Sequence, residues 1–394
     1  MGIDYFKVSD SSAPLPLGRG GGEGFGGEGI LISVRYLPEH CGVGDFSYQL
    51  AQHLQGMGMR WQVAHRTSGG WQLSAIDGSP QSRAATLSAL LLALPTRPLL
   101  YWQYVPYSFH PKGLPLQLPA TMRRLKAMGY RQYIFFHEVA LRRHGYGWRQ
   151  WLLGHLQMHI ARRMLATAQA AATSIPLFAG YFQPALPCIP VGSNVPFAGV
   201  AQHPPLATRL LCFANRCTPA LLQALAALQQ AHPQWHWHLQ LAGQIGASAQ
   251  AALQEQAAVL GVQSQLQWLG ALSTEALGTW LAQGHLLLQP QPLHRQSEGG
   301  VSNKNGTVAA AFMMGLPVLT TLGDMTDTSF FEHGHNCWLL PDNEAGTWAQ
   351  ALVHLLPHEA LRSQLGAAAH QRYQQQLAWP HLASLHAGLL SGAK

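Results

Sequence analysis

Short apolar and β-rich runs alternate along this chain with longer segments whose apolar residues recur at helical spacing. The first run, Gly29–Leu37, is followed by a glycine-containing turn and by the amphipathic segment Phe46–Met57. Short apolar runs predict buried strands, and helical spacing predicts the helices that cover them. The further strand-like runs of the first half are Trp61–His65, Pro98–Val105, Tyr133–Val139 and Thr173–Phe178. This alternation predicts an α/β fold in which a parallel sheet is covered on both faces.

The alternation restarts after a proline-rich passage, Pro184–Pro205, which we interpret as a linker between two domains. A chain of 394 residues is long enough for two domains of ordinary size. The strand-like runs of the second half are Leu210–Asn215, His236–Gly243, Leu266–Gly270, His285–Gln289, Val318–Thr321 and Cys337–Leu340. We therefore predict two facing Rossmann-like domains, residues 29–200 and 201–377, with ligands bound in the cleft between them. Residues 378–394 have a helical pattern and are expected to pack back on the first domain.

Composition indicates the compartment. Residues 1–28 contain most of the stretch PLPLGRGGGEGFGGEG, which offers little to bury and predicts a flexible N-terminal segment without a secretory signal. No apolar run approaches the roughly 18 residues of a membrane span. The five cysteines are scattered and form no Cys-x-x-Cys pair, so neither a disulfide framework nor a structural zinc site is expected. These features favour a cytoplasmic protein.

Positive charge is concentrated in the segment Arg123–Arg163, where nine arginines and lysines accompany a single acidic residue, Glu138. Such a segment is either a solvated basic face or a surface for an anionic partner. The partners to consider are a phosphorylated acceptor and a lipid headgroup surface, which would place the protein at the inner membrane face. Nucleic acid is not expected, because the segment lacks the motif of a known reader fold. Metal binding is not expected either, since His232, His236 and His238 lack a carboxylate at ligand spacing.

The glycine-rich stretch Ser297–Thr321 carries the strongest sign of a binding site. Its glycines, Gly300 and Gly306 among them, allow close approach to the backbone, and the run Thr307–Met314 predicts a helix whose first N–H groups face an anion. Lys304 adds a positive charge in a part of the chain that is poor in lysine. The stretch therefore predicts a phosphate-binding crossover. An ordinary βα turn with an incidental lysine is the alternative.

One glycine-rich turn occurs in each predicted domain, and the motifs around them follow a familiar order. Neither turn is specific alone, because CGVGD lacks the third glycine of a dinucleotide fingerprint and SEGGVSNKNGT lacks the ending of a P-loop. The matching pieces are CGVGDFSYQLAQHL, QYVPYSFHPKGLP, IFFHE, IPVGSN, LAGQIG, and GLPVLTT with the downstream FFEHGHNCWLLP. With these pieces, nearly all of residues 30–390 resemble the GT-B glycosyltransferases, especially the family 4-like glycosyl transferases group 1. The resemblance implies an N-terminal acceptor domain and a C-terminal nucleotide-sugar donor domain.

The resemblance also implies that the donor diphosphate lies between the two glycine-rich turns. Arg216 resembles the diphosphate-binding arginine of the family, with an arginine that only solvates a loop as the alternative. The donor-binding residues implied in this way are Gly42, Gly44, Arg216, Gly243, Gly300, Ser302, Asn303, Lys304, Asn305, Gly306 and Thr307. No metal should be needed, because helix N-termini and these cations would neutralise the leaving diphosphate.

Three residues are candidates for catalysis. His137 follows a predicted strand and resembles the family's active-site histidine that contacts the donor sugar, with a core histidine capped by a backbone carbonyl as the alternative. Asp45 is a candidate general base if the enzyme inverts, or else the cap of a helix that begins one residue later. The two glutamates that the family usually carries correspond here to Ser302 and Ala310, and Glu298 is the candidate replacement for one of them.

The sequence therefore predicts a hexosyltransferase-like enzyme that moves a sugar from a nucleoside-diphosphate donor to an acceptor in the interdomain cleft. The acceptor classes considered are a glycan, a lipid-linked molecule, a protein and a small molecule. No cofactor is predicted besides the nucleotide sugar, which is a substrate. Two alternatives stay open: a nucleotide-sugar epimerase of the same fold, and a degenerate GT-B module that binds without turnover, motivated by the missing glutamates.

Overall fold

The computed structural model describes residues 27–39, 41–141, 147–294 and 298–392. The predicted flexible segment 1–28 lies outside the described residues except for its last two positions. Ser297 of the glycine-rich stretch, residues 142–146 of the basic segment and the last two residues of the chain also lie outside the described ranges.

A seven-stranded sheet forms the centre of the N-terminal half. Its strands are β1 (Glu28–Ile32), β2 (Arg60–Thr67), β3 (Gly70–Ser74), β4 (Pro80–Ala84), β5 (Leu99–Tyr104), β6 (Gln132–Phe136) and β7 (Ala170–Thr173). The helices are α1 (Gly42–Gly56), α2 (Leu87–Leu92), α3 (Pro106–Phe109), α4 (Leu118–Ala127), α5 (Trp148–Leu165) and α6 (Pro176–Ala179). The spatial order is β4-β3-β2-β1-β5-β6-β7, and all pairs are parallel except those that β3 makes. The parallel strands therefore end at one common edge of the sheet.

A six-stranded sheet, parallel throughout, forms the centre of the C-terminal half. The strands of this half are β8 (Arg209–Phe213), β9 (His238–Ala242), β10 (Leu266–Gly270), β11 (Leu286–Gln289), β12 (Leu293–His294), β13 (Glu298–Gly299), β14 (Val318–Thr321) and β15 (Trp338–Leu340). The helices are α7 (Pro219–Ala231), α8 (Ala247–Val259), α9 (Thr274–Ala282), α10 (Gly306–Met313), α11 (Ala345–Leu355), α12 (Glu359–Arg372) and α13 (Trp379–Ser391). The sheet order is β10-β9-β8-β11-β14-β15, and β12 pairs only with β13, antiparallel.

The central strands of each sheet are buried on both faces, which explains why they are mostly apolar. In β1, Ile30 and Ile32 belong to the core beneath α2, α4 and α5, whereas Leu31 joins the core beneath α1 and α13. In β8, Leu210 packs with residues of α7 and α11, and Leu211 packs with residues of α10 on the opposite face. The predicted α/β class with parallel sheets is confirmed.

The C-terminal helix α13 packs against α1 in the N-terminal half. The indole Nε1 of Trp379 donates a hydrogen bond of 2.6 Å to the carbonyl oxygen of Ser193 in the linker. The hydroxyl of Tyr101 on β5 lies 2.6 Å from Nδ1 of His386 on α13. These contacts tie the tail to the linker and to the first sheet, and so they help to fix the space between the two sheets.

One expectation about local structure is wrong, and one feature of the sheet was not predicted. The run Thr173–Phe178 is not a strand, because β7 ends at Thr173 and α6 begins at Pro176, whose fixed φ suits the first turn of a helix. The hairpin of β3 and β4 was not expected at all. All but the last residue of β4 are exposed, and the strand is mostly polar, so it gives no hydrophobic signal.

Candidate functional site

A cavity of about 650 Å³ lies between the two halves, where strands of both sheets end. One wall consists of residues that follow β1 and β6, residues at the end of β5, and the start of α1; the other consists of linker residues, the turn after β8 and the start of α10. The lining residues are Ser33, Val34, Arg35, Cys41, Gly42, Val43, Phe46, Gln103, Val105, Tyr107, Ser108, His137, Glu138, Val191, Asn194, Arg216, Lys304, Asn305 and Gly306. Parallel α/β sheets bind their ligands at this edge, so the cavity is the candidate site.

Two helices begin at the cavity wall. Gly42 is the first residue of α1 and Gly306 is the first residue of α10, and both line the cavity. The Sγ of Cys41 caps α1. At α10 the side chain of Asn305 accepts the backbone N–H of Ser302 at 2.7 Å and makes no cap bond to the helix. At α10 the backbone N–H groups of Gly306 and Val308 already donate to the carbonyl oxygens of Lys304 and Asn305. The positive ends of the two helix dipoles favour a negative charge in the cavity.

Lys304 precedes α10 and reaches toward the N-terminal half. Its Nζ lies 3.6 Å from Oε1 of Glu138 and 5.3 Å from the centre of the Phe178 ring. The Glu138 side chain is about half exposed, so this ion pair contributes little to stability. The ammonium group therefore stands at the cavity with a partner that an anionic ligand can replace.

Arg216 ends the short 3₁₀ turn that follows β8 and lines the same cavity. Its side chain is partly buried, and burial lowers the pKa of its guanidinium, with a smaller opposing effect from Cys212. The group stays charged because arginine cannot be deprotonated in proteins. It has no hydrogen bond or ion pair with any residue in the described part of the chain. An anion in the cavity would offset the cost of burying this charge.

His137 follows β6 directly and belongs both to the cavity wall and to the core. Its Nε2 lies 2.9 Å from the amide oxygen of Gln103, and its ring makes edge contacts with Phe46 and Phe135. Burial, with smaller contributions from His386 and Lys304, lowers the pKa of His137 to about 3. The imidazole is therefore neutral near pH 7, which suits a hydrogen-bonding role rather than proton exchange.

Gln103 is a cavity residue that the sequence analysis missed. It is almost fully buried near the end of β5, and its Nε2 has no hydrogen-bond partner among the described residues. A buried amide without a partner is costly unless a ligand supplies one. The available signal was one glutamine in an otherwise aromatic and apolar strand, LLYWQY.

The comparisons with known proteins agree with this architecture. Residues 209–358 match the family model described as glycosyl transferases group 1. Sucrose-phosphate synthase from Thermosynechococcus elongatus is similar with a TM-score of 0.67 and 14% identity, over 93% of this chain and 98% of that one. The glycosyltransferase WaaG, involved in lipopolysaccharide biosynthesis, is similar with a TM-score of 0.60 and 16% identity, over 93% of this chain and 100% of that one. The protein has the GT-B fold.

A third GT-B structure carries ligands. Anabaena Alr3699/HepE in complex with UDP and glucose has a TM-score of 0.60 and 13% identity, and the match covers 93% of this chain and 99% of that one. No curated protein sequence matches the chain significantly. Identities this low show the common fold and nothing finer, while the family match confirms the resemblance to group 1 glycosyl transferases.

Six of the sequence-predicted residues are brought together at the GT-B cavity: His137, Gly42, Arg216, Lys304, Asn305 and Gly306. The other predicted residues do not line it. They are Gly44, Asp45, Gly243, Glu298, Gly300, Ser302, Asn303 and Thr307.

The glycines outside the cavity have backbone reasons for being glycine. Gly300 has φ +83°, and a Cβ there would lie 2.3 Å from the backbone nitrogen of Gly323. Gly243 has φ +97° in open space at the end of β9. Gly44 is buried, and a Cβ there would lie 2.9 Å from the carbonyl oxygen of Arg35. These positions require glycine without any ligand.

The polar residues at the start of α10 form hydrogen bonds with other residues of the protein. The Ser302 hydroxyl lies 3.1 Å from the side-chain oxygen of Asn305, and the carbonyl oxygen of Asn303 accepts the backbone N–H of Val191 in the linker at 2.8 Å. The Thr307 hydroxyl accepts from Nε2 of Gln289 at 3.3 Å. These bonds shape the start of α10, and the helix start is what meets the cavity.

The two carboxylate candidates lie away from the cavity wall. Asp45 does not cap a helix beginning at the next residue, because α1 begins at Gly42 and Cys41 is its N-cap. Asp45 instead occupies the first turn of α1, where its negative charge interacts favourably with the helix dipole. Glu298 lies on β13 opposite His294, and its Oε2 is buried without a hydrogen-bond partner among the described residues.

In the described ranges, no group of three or more histidine, cysteine or acidic side chains is arranged to hold a metal ion. Within the same ranges, no helix combines the length and the apolar character needed to cross a bilayer.

Proposed function

We propose that the protein transfers a sugar from a nucleoside-diphosphate donor to an acceptor inside the 650 Å³ cavity. One observation carries the proposal. Two cations, Arg216 and Lys304, meet the uncapped N-terminus of α10 at the edge where the parallel strands of both sheets end. A diphosphate is the group that this combination of two cations and a helix dipole fits best.

The reaction needs negative charge to be stabilised where the leaving group departs. As the bond between the sugar's anomeric carbon and the diphosphate oxygen breaks, the departing oxygen gains charge. Arg216, Lys304 and the positive end of the α10 dipole would stabilise that charge. We propose that they do so without a metal ion or a further cofactor. UDP and glucose in Anabaena HepE, a protein of the same fold, support a nucleotide sugar as donor.

His137 and Gln103 form the opposite wall and are suited to hold the sugar. The amide oxygen of Gln103 is engaged by Nε2 of His137, which leaves the amide N–H groups of Gln103 for a sugar hydroxyl. His137 is neutral, so its role is orientation by hydrogen bonding. The acceptor would enter from the N-terminal half, whose basic segment Arg123–Arg163 favours an anionic or membrane-associated acceptor and a peripheral cytoplasmic location.

The family's paired glutamates are absent from this chain. Ser302 and Ala310 occupy the corresponding positions, and both are buried. A carboxylate buried at either place would be costly unless it were paired. We therefore propose that the nucleoside is held by contacts other than the family's carboxylate, and that the diphosphate contributes most of the donor affinity.

Calorimetry with UDP, GDP and ADP tests the site directly. Arg216→Gln and Lys304→Ala should each weaken the binding of the preferred nucleotide by about 1.5–3 kcal/mol, the range for a hydrogen bond to a charged group. Arg66→Gln, which removes an exposed arginine on β2, is the matched control and should change nothing. Absence of binding, or equal binding by all variants, would contradict the proposal.

Turnover then separates transfer from the alternatives. Incubation with a nucleotide sugar and a panel of acceptors should yield a glycosylated product, with release of the nucleoside diphosphate that depends on the acceptor. An epimerase would convert the sugar without any acceptor. A binding module would hold the nucleotide and release nothing over long incubation.

A further inference from the structure

Helix α5 exposes large apolar side chains on one face. Trp148 is 71% exposed, Trp151 47%, Leu152 43% and Leu156 39%. Their spacing of three, four and eight residues from Trp148 places them on neighbouring turns of one side of the helix. The opposite side, with Met158 and other residues, packs in the core of the N-terminal half. Exposed tryptophans and leucines in such a row mark a surface that binds another protein or a membrane.

Cations surround this apolar row without acidic residues among them. Arg149 lies within the row, and Arg163 lies two turns beyond its end on the same side. The neighbouring helix α4 exposes Arg123 and Arg124 and packs against α5. Neither helix contains an aspartate or a glutamate. The combination of tryptophan, leucine and arginine on one helical face is typical of helices that lie in the interface of an anionic membrane.

Helix α5 is also connected to the cavity wall. The segment that follows β5 makes the connection, since Tyr107 on α3 lines the cavity and Gly113, in the loop after α3, accepts a hydrogen bond of 3.1 Å from Gln157 on α5. The strand β6 that precedes α5 is followed directly by His137 and Glu138, which also line the cavity. A surface bound to α5 would therefore contact an element that is joined to the cavity wall.

We propose that the outer face of α4 and α5 docks the protein on an anionic lipid surface. The apolar end of α5 enters the headgroup region, and the arginines of both helices contact lipid phosphates. This proposal concerns where the protein binds, so it does not depend on the transfer reaction. It also accounts for the basic residues of α4 and α5, none of which lines the nucleotide site.

Sedimentation with vesicles tests the proposal. The full-length protein should bind vesicles of phosphatidylcholine mixed with phosphatidylglycerol, bind phosphatidylcholine alone weakly, and dissociate as salt is raised. Trp148→Ser/Trp151→Ser/Leu152→Ser should lower the partition coefficient at least ~10-fold. Arg123→Gln/Arg163→Gln should lower it about 30-fold, from ~1 kcal/mol for each basic residue near the surface.

Matched controls use the same side chains on other faces. Val259→Ser removes an apolar residue that is 81% exposed on α8, and Arg60→Gln/Arg66→Gln removes two exposed arginines of β2. Both control variants should bind vesicles like the unmodified protein, and all variants should keep its melting temperature and nucleotide affinity. Failure of the unmodified protein to bind mixed vesicles would overturn the proposal. So would equal binding by every variant, or a dimer that the triple serine variant converts to monomer without any vesicle binding.

Discussion

Replacing His386 by leucine should remove a part of the protein's acid sensitivity. His386 is fully buried between α13 and the first sheet, with its Nδ1 2.6 Å from the Tyr101 hydroxyl. Its Nε2 has no hydrogen-bond partner among the described residues, and its ring lies against Phe46 and Phe135. A protonated ring would place an uncompensated charge in this core. Burial accordingly lowers the pKa of His386 to about 3.

The size of the effect follows from proton linkage. An unfolded histidine titrates near pH ~6.5, so the unfolded state binds more protons than the folded state between pH ~6.5 and ~3. Stability contributed by the neutral ring is therefore complete above pH ~6.5 and is lost as the pH falls. Between about pH 7.5 and about pH 5.5 the loss from one such histidine is ~1.4 kcal/mol. His386→Leu abolishes this loss, although the Tyr101 hydroxyl then lacks its partner at every pH, at a cost of ~1–3 kcal/mol.

Urea unfolding followed by tryptophan fluorescence at the two pH values measures the difference. The free energy of unfolding of the variant should lie below that of the unmodified protein at the higher pH. The gap should shrink by ~1.4 kcal/mol at the lower pH. Replacing Tyr101 by phenylalanine in the His386→Leu variant removes the hydroxyl that has lost its partner. This should recover part of the pH-independent loss in the free energy of unfolding and leave its pH dependence unchanged. His335→Gln, at an exposed position, is the control and should leave the pH dependence as it was. A gap between the unmodified protein and His386→Leu that is the same at both pH values would refute the argument.

Two further predictions concern His137 and the glycine-rich turn. His137→Ala should lower the single-turnover rate about 10²-fold while nucleotide affinity stays within a few-fold, as expected for a residue that contacts the sugar; a destabilised variant with normal turnover would make it a core residue only. Gly300→Ala should lower the free energy of unfolding by more than Gly243→Ala, which strains only its own backbone by ~1–3 kcal/mol, because the new Cβ at Gly300 also meets the backbone of Gly323. Equal losses in urea unfolding would contradict this comparison.

The sequence predicted the main elements of the fold because their signals are local. The helix expected at Thr307–Met314 begins one residue earlier and ends one residue earlier, at Met313. Glycine and proline after it mark its end, and the buried strand that follows, VLTT, is rich in β-branched residues. The pairing partners of such strands are set by tertiary packing, so the order of the sheet was outside the reach of these patterns.

The site was predicted only in part, and the misses have a common cause. A glycine that allows a ligand to approach and a glycine that allows two backbone segments to pack have the same sequence signature. Gly306 lines the cavity, whereas Gly300 packs against Gly323. Whether a glycine serves a ligand or backbone packing depends on its distance to a segment far along the chain. A short sequence motif contains no information about that distance. Gln103 was missed for the opposite reason, since a single polar residue in a buried strand has no periodic pattern.

The two cations were predicted by different routes. Arg216 was predicted from its resemblance to the family's diphosphate-binding arginine. The structure adds a physical reason, because a partly buried arginine without a partner among the described residues is unfavourable unless it binds an anion. Lys304 was predicted from its position in a glycine-rich turn in a lysine-poor part of the chain. Its 3.6 Å contact with the half-exposed Glu138 is a weak ion pair, so an incoming diphosphate can replace Glu138 at little cost. Because Glu138 follows His137 directly, such an exchange would change the charge beside the sugar-binding wall at the moment the donor binds.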